Sequence, residues 1–202
     1  MKGIKIDVKN SMFPEFDYLG LDKIIVPQTA AEFDVAVRTL QLAKYLGFDT
    51  ESKPIFEKGL KNDGPHVVQF ATSDHAYIFQ LHLLESITSL LTILSDPGIL
   101  KIGFGLSSDR KLLSKKFGMP PAGLLDLNTI LKEQGRASAV GAKAAAFNVL
   151  GQYFTKSKKI SLSNWATPTL TDRQKIYAAN DAYVALRVFA KLRDTGQSIF
   201  WA

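Results

Sequence analysis

The sequence predicts a single α/β domain, a mixed β-sheet flanked by α-helices. Three observations carry that expectation. Two helices are marked by capping boxes, Thr29 with Glu32 and Thr171 with Gln174, in which each pair satisfies orphan backbone donors at a helix start. Between them, three strand-like runs are followed by alternating strand and helix, the pattern of one layered α/β unit. At 202 residues with 46% hydrophobic and 22% charged residues, the chain suits one domain that buries a sizeable core.

The elements follow in order. Residues 1–28 hold Pro14 and Pro27 and show no sustained periodicity. They read as a lead-in wrapping the domain, with residues 1–24 set apart and the domain proper over 25–202. A helix starts at Thr29 and runs to about Leu46, with Gly47 as its stop. Phe48 to Ser52 is a short strand halted by Pro54, and Gly59 to Pro65 is a polar, turn-rich loop. Val67 to Thr72 and Ala76 to Leu81 form a hairpin across Ser73-Asp74-His75. A helix over Leu84–Leu94 closes at Asp96-Pro97-Gly98, and Lys101 to Gly105 is a buried strand. A helix opens at Ser107 or Ser108 and runs through Phe117. A brief strand near Leu124–Leu127 precedes helices over about 127–134 and 140–154. Residues 155–170 read as a basic, polar loop, and the last helix runs from Thr171 to about Arg193. No internal repeat, low-complexity tract or linker divides the chain.

Composition narrows the chemistry. Cysteine is absent, which excludes disulfide staples, thiolate nucleophiles and Cys-ligated zinc. No apolar run approaches the length that spans a bilayer, so no membrane association is expected. Met1 to Asn10 alternates Lys with apolar residues and lacks a signal-peptide core. With 25 Lys+Arg against 19 Asp+Glu, the net charge of +6 points to a polyanionic partner such as nucleic acid.

Four acids stand out by context. Asp49 and Glu51 are spaced i, i+2, so strand alternation puts both carboxylates on one face. They either sit on the wet face of an edge strand or hold a cation, since the pair repels itself. Asp109 follows a buried strand at a strand-to-helix turn, where α/β sites gather. A helix N-terminal acid is the simpler account of that position. Asp181 lies four residues after Tyr177 in a largely apolar helix, on the same face. Together the four favour hard cations, Mg²⁺ or Mn²⁺, and two such ions form the usual clamp for phosphodiester hydrolysis.

The order and spacing of these residues resemble the DEDDy branch of the 3′–5′ exonucleases, in the DnaQ-like part of the ribonuclease H-like superfamily. The first motif, D-x-E on a strand, corresponds to Asp49-Thr50-Glu51. The second, K-x-G with an Asp six residues after the Gly, corresponds to Lys101, Gly103 and Asp109. The third, Y-x-x-x-D on a C-terminal helix, corresponds to Tyr177 and Asp181. A longer run through Ser163-Asn164-Trp165, Pro168, Leu170 and Gln174 leads into that motif and is the most specific signal. The likeness covers about residues 25–193. The sister branch places a His five residues before the last Asp, where this chain has Ile176. His66, His75 and His82 lie in the hairpin region and read as surface or structural residues. Within the branch the chain most resembles the Werner-syndrome-type exonuclease domain, then ribonuclease D. It departs at Gly105, where many relatives carry His or Asn, and at Val140-Gly141-Ala142-Lys143, where the family usually has Gly-Leu.

The resemblance implies a ribonuclease H-like sheet and a two-metal 3′–5′ exonuclease releasing 5′-mononucleotides from a DNA or RNA 3′ end. Asp49 would bridge two Mg²⁺ or Mn²⁺ ions. Glu51 and Asp181 would complete the nucleophile side, and Asp109 would support the other ion. Tyr177 would orient the attacking water and help deprotonate it. Lys156, Lys158 and Lys159, with Lys115 and Lys116, are candidates for tracking phosphates or are solvated loop charge. Trp165 either stacks on a base or packs inside. Ribonuclease D-like RNA 3′-end processing, a non-catalytic nucleic-acid-binding domain and an endonuclease are the competing readings. The expected location is cytoplasmic in a bacterium and intracellular, the nucleus included, in a eukaryote. No helicase or repair partner is named by any motif.

Overall fold

The computed structural model describes residues 13–55, 59, 63–133 and 140–196. The ends of the expected lead-in and of the chain, parts of the 59–65 loop and residues 134–139 lie outside the described residues. Among the described residues six strands form one mixed sheet: β1 (Ile24–Ile25), β2 (Tyr45–Glu51), β3 (Val67–Ala71), β4 (Ala76–Gln80), β5 (Leu100–Gly103) and β6 (Leu124–Asp126). Their spatial order is β1-β4-β3-β2-β5-β6. The β2–β3–β4 meander is antiparallel, whereas β1 joins β4, and β5 and β6 extend from β2, in parallel. Every residue of β3 and β4 is buried, as strands covered on both faces should be.

One face is covered by α1 (Ala30–Gln41), α2 (Leu84–Leu94) and α3 (Ser107–Phe117). They send Phe33, Leu40, Leu90, Ile93 and Leu113 into a core with Phe48, Val68 and Phe70. The long α7 (Asp172–Asp194) covers the other face, with Ala178, Ala182, Ala185 and Phe189 against Val67, Ile78 and Ile102. Shorter helices α4 (Leu127–Glu133), α5 (Ala142–Ala145) and α6 (Lys158–Ser161) complete that side. Both expected capping boxes are formed, at Thr29/Glu32 and Thr171/Gln174. Residues before β1 also reach the core, where Phe16 and Leu19 are buried.

Several boundaries differ from expectation. Helix α1 stops at Gln41, and Tyr45-Leu46-Gly47 belong to β2, paired with Leu100-Lys101-Ile102. Gly47 is therefore no helix stop. A Cβ there would lie 2.0 Å from the Ala182 carbonyl oxygen, so the glycine exists to let α7 pass over the strand. Nor is β2 an edge strand, since β3 and β5 flank it. The helix expected over 140–154 is only α5 followed by a π-helical turn, Ala146–Leu150, which ends at Gly151 in the left-handed region, φ 65°. The expected 155–170 loop contains α6, whose start Ser157 caps by accepting from the Ile160 N–H.

A buried lysine closes one helix. Lys101 is fully buried, and its Nζ donates to the carbonyls of Ile93 at 3.1 Å and Asp96 at 2.7 Å, capping the C-terminal end of α2. Burial pulls its amine down to about 8.

Candidate active site

The D-x-E spacing on β2 and the α7 crossing bring three acids together. Oxygens of Asp49, Glu51 and Asp181 all lie within 4.8 Å of one another, at the C-terminal end of β2 and beneath α7. Glu51 and Asp181 are buried and Asp49 is half-buried. Burial raises the pKa of all three above the ordinary carboxylate range. For Asp49 the Asp181 charge adds to burial, and for Glu51 the Asp49 charge does so. Three mutually repelling acids removed from water are costly unless cations share their charge.

Asp109 stands just outside this group, on the first turn of α3. Thr50, between the two β2 acids, donates its hydroxyl to Asp109 Oδ1. Burial raises the Asp109 pKa, and the Thr50 hydrogen bond partly opposes it. The turn that carries Asp109 is tied to β6. Asp126 accepts from the Gly105 N–H at 2.9 Å, the Leu106 N–H at 2.8 Å and the Asn128 N–H at 2.9 Å. Gly105 is in the left-handed region at φ +70°, which glycine adopts without a Cβ penalty. Asp126 and Thr50 are positioning residues that spacing alone did not single out; the Leu124-Leu125-Asp126 strand end was the available signal.

Tyr177 lies one turn before Asp181 on α7 and is half-buried. Burial, then the Asp181 charge, push its hydroxyl up to about 12. A hydroxyl whose pKa is raised in this way is a poor base at neutral pH and a ready hydrogen-bond donor. The next residue to Asp181 anchors the preceding chain: Asn180 accepts from the Leu19 N–H at 2.8 Å and donates to the Leu19 carbonyl at 3.1 Å.

The basic candidates separate. Lys156 is in the site, with Nζ 2.5 Å from Asp181 Oδ2 and 5.3 Å from the centre of the Tyr177 ring. Burial lowers its pKa, but Asp181 and Asp49 more than offset this, so the amine is held charged. Lys158 and Lys159 are exposed on α6. Lys159 lines a cavity of about 450 Å³ with Tyr18, Arg173, Tyr177 and Asp181. A second cavity of about 460 Å³ is lined by Asp49, Phe104, Asn128, Lys143, Lys156 and Asp181. Asp181 thus lies between two openings, each with a basic wall.

Trp165 is enclosed rather than open to a ligand. It is 1% exposed, its Nε1 donates to the Ser161 carbonyl at 3.1 Å, and its ring tilts against Tyr177 at 5.9 Å. The ring supports Tyr177 from inside and offers no open face to a base. Trp165→Phe should therefore leave nucleic-acid affinity unchanged in an anisotropy titration, whereas Trp165→Ala should cost about 3–5 kcal/mol of stability. The histidines stay outside the acid cluster: His66 Nδ1 accepts from the Lys53 N–H, His75 contacts Asp74, and His82 is exposed.

The residues present suit a hard divalent ion. The donors are all oxygen, and Asp181 Oδ2 is buried with no well-aligned hydrogen bond despite the lysine beside it. Gln69, directly across the ladder from Asp49, is likewise fully buried with an amide that makes no hydrogen bond.

Comparison with known proteins agrees with this geometry. The sequence profile of a family described as 3′–5′ exonuclease matches residues 24–197. The mouse bifunctional 3′–5′ exonuclease/ATP-dependent helicase WRN is 30% identical over 168 residues, covering 82% of this chain and 12% of that protein. An Arabidopsis thaliana 3′–5′ exonuclease is 26% identical over 202 residues, covering 93% of this chain and 68% of that protein. Among solved structures, Escherichia coli RNase D superposes with a TM-score of 0.71 at 23% identity, over 85% of this chain and 44% of that one. The Aedes aegypti Nibbler EXO domain does so with a TM-score of 0.72 at 21% identity, over 88% and 92%. These two structures share the fold. Among the described residues no helix is long and apolar enough to cross a membrane. With a profile spanning most of its length and an acid cluster where β2 meets α7, the chain belongs to the 3′–5′ exonuclease family.

Proposed function

We propose that the chain is a metal-dependent 3′–5′ exonuclease. It acts on a nucleic-acid 3′ end, releases 5′-mononucleotides, and uses two Mg²⁺ or Mn²⁺ ions held by Asp49, Glu51, Asp109 and Asp181. The observation that carries this reading is the triad of carboxylates within 4.8 Å, two of them buried and one half-buried, with the Lys156 ammonium beside it. Divalent ions bound there supply activation of the attacking water and stabilisation of the leaving oxygen. The protein's own part is placement. Asp49 and Glu51 are fixed by a strand paired on both sides, and Asp181 by a helix packed across that strand. Thr50 aims Asp109, and the Tyr177 hydroxyl, one helical turn before Asp181, would orient the attacking water. Lys159 on one side, and Lys143 on the other, would offer charge to the phosphate backbone, with Lys158 exposed on the same helix as Lys159.

The test is a panel of single-stranded, recessed and overhanging DNA and RNA with Mg²⁺ or Mn²⁺, scored for released mononucleotide. Wild type should release mononucleotides from the 3′ end only. Asp181→Asn should lose roughly three orders of magnitude in rate, because several kcal/mol of transition-state stabilisation disappear with one ligand. Cleavage of circular substrate, or full activity in Asp181→Asn, contradicts the reading. RNA preferred over DNA in the same panel would favour a ribonuclease D-like role.

A further inference from the structure

The position of Lys156 bears on how the site accepts its ions. Its ammonium is the cation next to the acid triad, and it occupies one particular oxygen, Asp181 Oδ2, at 2.5 Å. That carboxylate is almost wholly enclosed, whereas the lysine side chain keeps 30% of its surface exposed. The lysine also lies over the Tyr177 ring and lines the cavity that opens onto Asp49 and Asp181. It comes from the short connection before α6, not from the sheet or α7 that hold the carboxylates. An oxygen facing an ammonium at this distance has no room for a divalent ion along the same direction, and two cations so close repel strongly.

We propose that Lys156 is a resident counter-cation: it holds Asp181 in place before metal arrives and competes with the incoming ion for Oδ2. This rests on the metal-holding reading of the site given above. Lys156 acts through Asp181 and is thus a positioning residue. The proposal has an unusual sign. Damage to a metal site weakens metal binding, but removing a competitor tightens it.

The experiment measures Mn²⁺ affinity of the full chain, without nucleic acid, by electron paramagnetic resonance of the free ion. Lys156→Met should bind Mn²⁺ about tenfold more tightly than wild type, the scale of one partly screened charge contact. The same variant stripped of metal should melt at a lower temperature than wild type, because Asp181 loses its partner. Lys156→Gln, similar in length and polar, is measured alongside, so that failure of the Met variant to fold still leaves a reading; it too should bind more tightly. Lys156→Arg should stay near wild type. Lys158→Met removes the same charge from an exposed position and should change the affinity little. Unchanged or weaker Mn²⁺ binding in the folded Lys156 variants overturns the proposal, as does an equal gain in Lys158→Met. Wild type that binds no Mn²⁺ overturns the metal-site reading and this proposal together. Wild type that binds normally beside variants that bind no tighter removes only the role of Lys156.

Discussion

Asp49→Asn is expected to lower exonuclease turnover by roughly three orders of magnitude while making the metal-stripped protein more stable. Both effects have one origin. Burial and the Asp181 charge raise the Asp49 pKa, to about 8. A folded-state pKa above the unfolded one means that the folded protein holds the proton longer. The contribution to stability is therefore complete below the unfolded value, near 4, and is lost as pH climbs through the raised one. At neutral pH the stripped wild type bears most of that loss. Asparagine has the same shape and no charge to desolvate, so urea unfolding in a chelator should show a higher midpoint for the variant at pH 8 than for wild type. The difference should shrink toward pH 4. Adding Mn²⁺ should reverse the order, since saturation at about a hundredfold over Kd stabilises a binding protein by roughly 2.7 kcal/mol. A variant less stable than wild type at pH 8 in chelator would show that the carboxylate is already compensated without metal.

Gly47→Ala is the second large effect. The added methyl would sit 2.0 Å from the Ala182 carbonyl oxygen, 2.8 Å from the carbonyl carbon and 3.2 Å from Leu186 Cβ. Two of these are backbone atoms of α7, so no side-chain rotation relieves the clash. Either β2 or α7 must shift, at a cost of about 3 kcal/mol. For a chain of this length that lowers the melting temperature by roughly 6–12 °C. Ala182 follows Asp181, so the shift also moves a carboxylate whose oxygen lies within 4.8 Å of its two partners. A drop in kcat is expected even at temperatures where the variant is fully folded. A variant with wild-type melting and kcat would mean that α7 can ride further from the sheet than its packing indicates.

The fold and the site were legible in the sequence to different depths. Local rules reach Asp49 and Glu51 because a period of two needs no knowledge of the rest of the chain. They reach Tyr177 and Asp181 because one helical turn is equally local. The capping boxes place the starts of α1 and α7 for the same reason. What spacing cannot carry is contact across long stretches of chain. Gly47 looks like a helix terminator when only its neighbours are considered, and its meaning lies in residue 182. Lys156 looks like loop charge until α7 puts Asp181 beside it. Trp165 is ambiguous in the sequence because an indole serves a base and a core equally well. Its enclosure is decided by α6 and by Tyr177.

Asn180 has a practical consequence. Its amide grips both backbone groups of Leu19, which lies upstream of residue 24, where the family match begins. Phe16 and Leu19 are buried in the same neighbourhood, and Tyr153 is bonded to Pro14 and Phe16 through the backbone. A recombinant fragment trimmed to the family boundary would leave the Asn180 amide without those partners one residue from Asp181. It would also remove the buried Phe16 and Leu19 side chains and expose the core surface they cover. A fragment that keeps these contacts is therefore expected to start at or before residue 14, longer than the family signature.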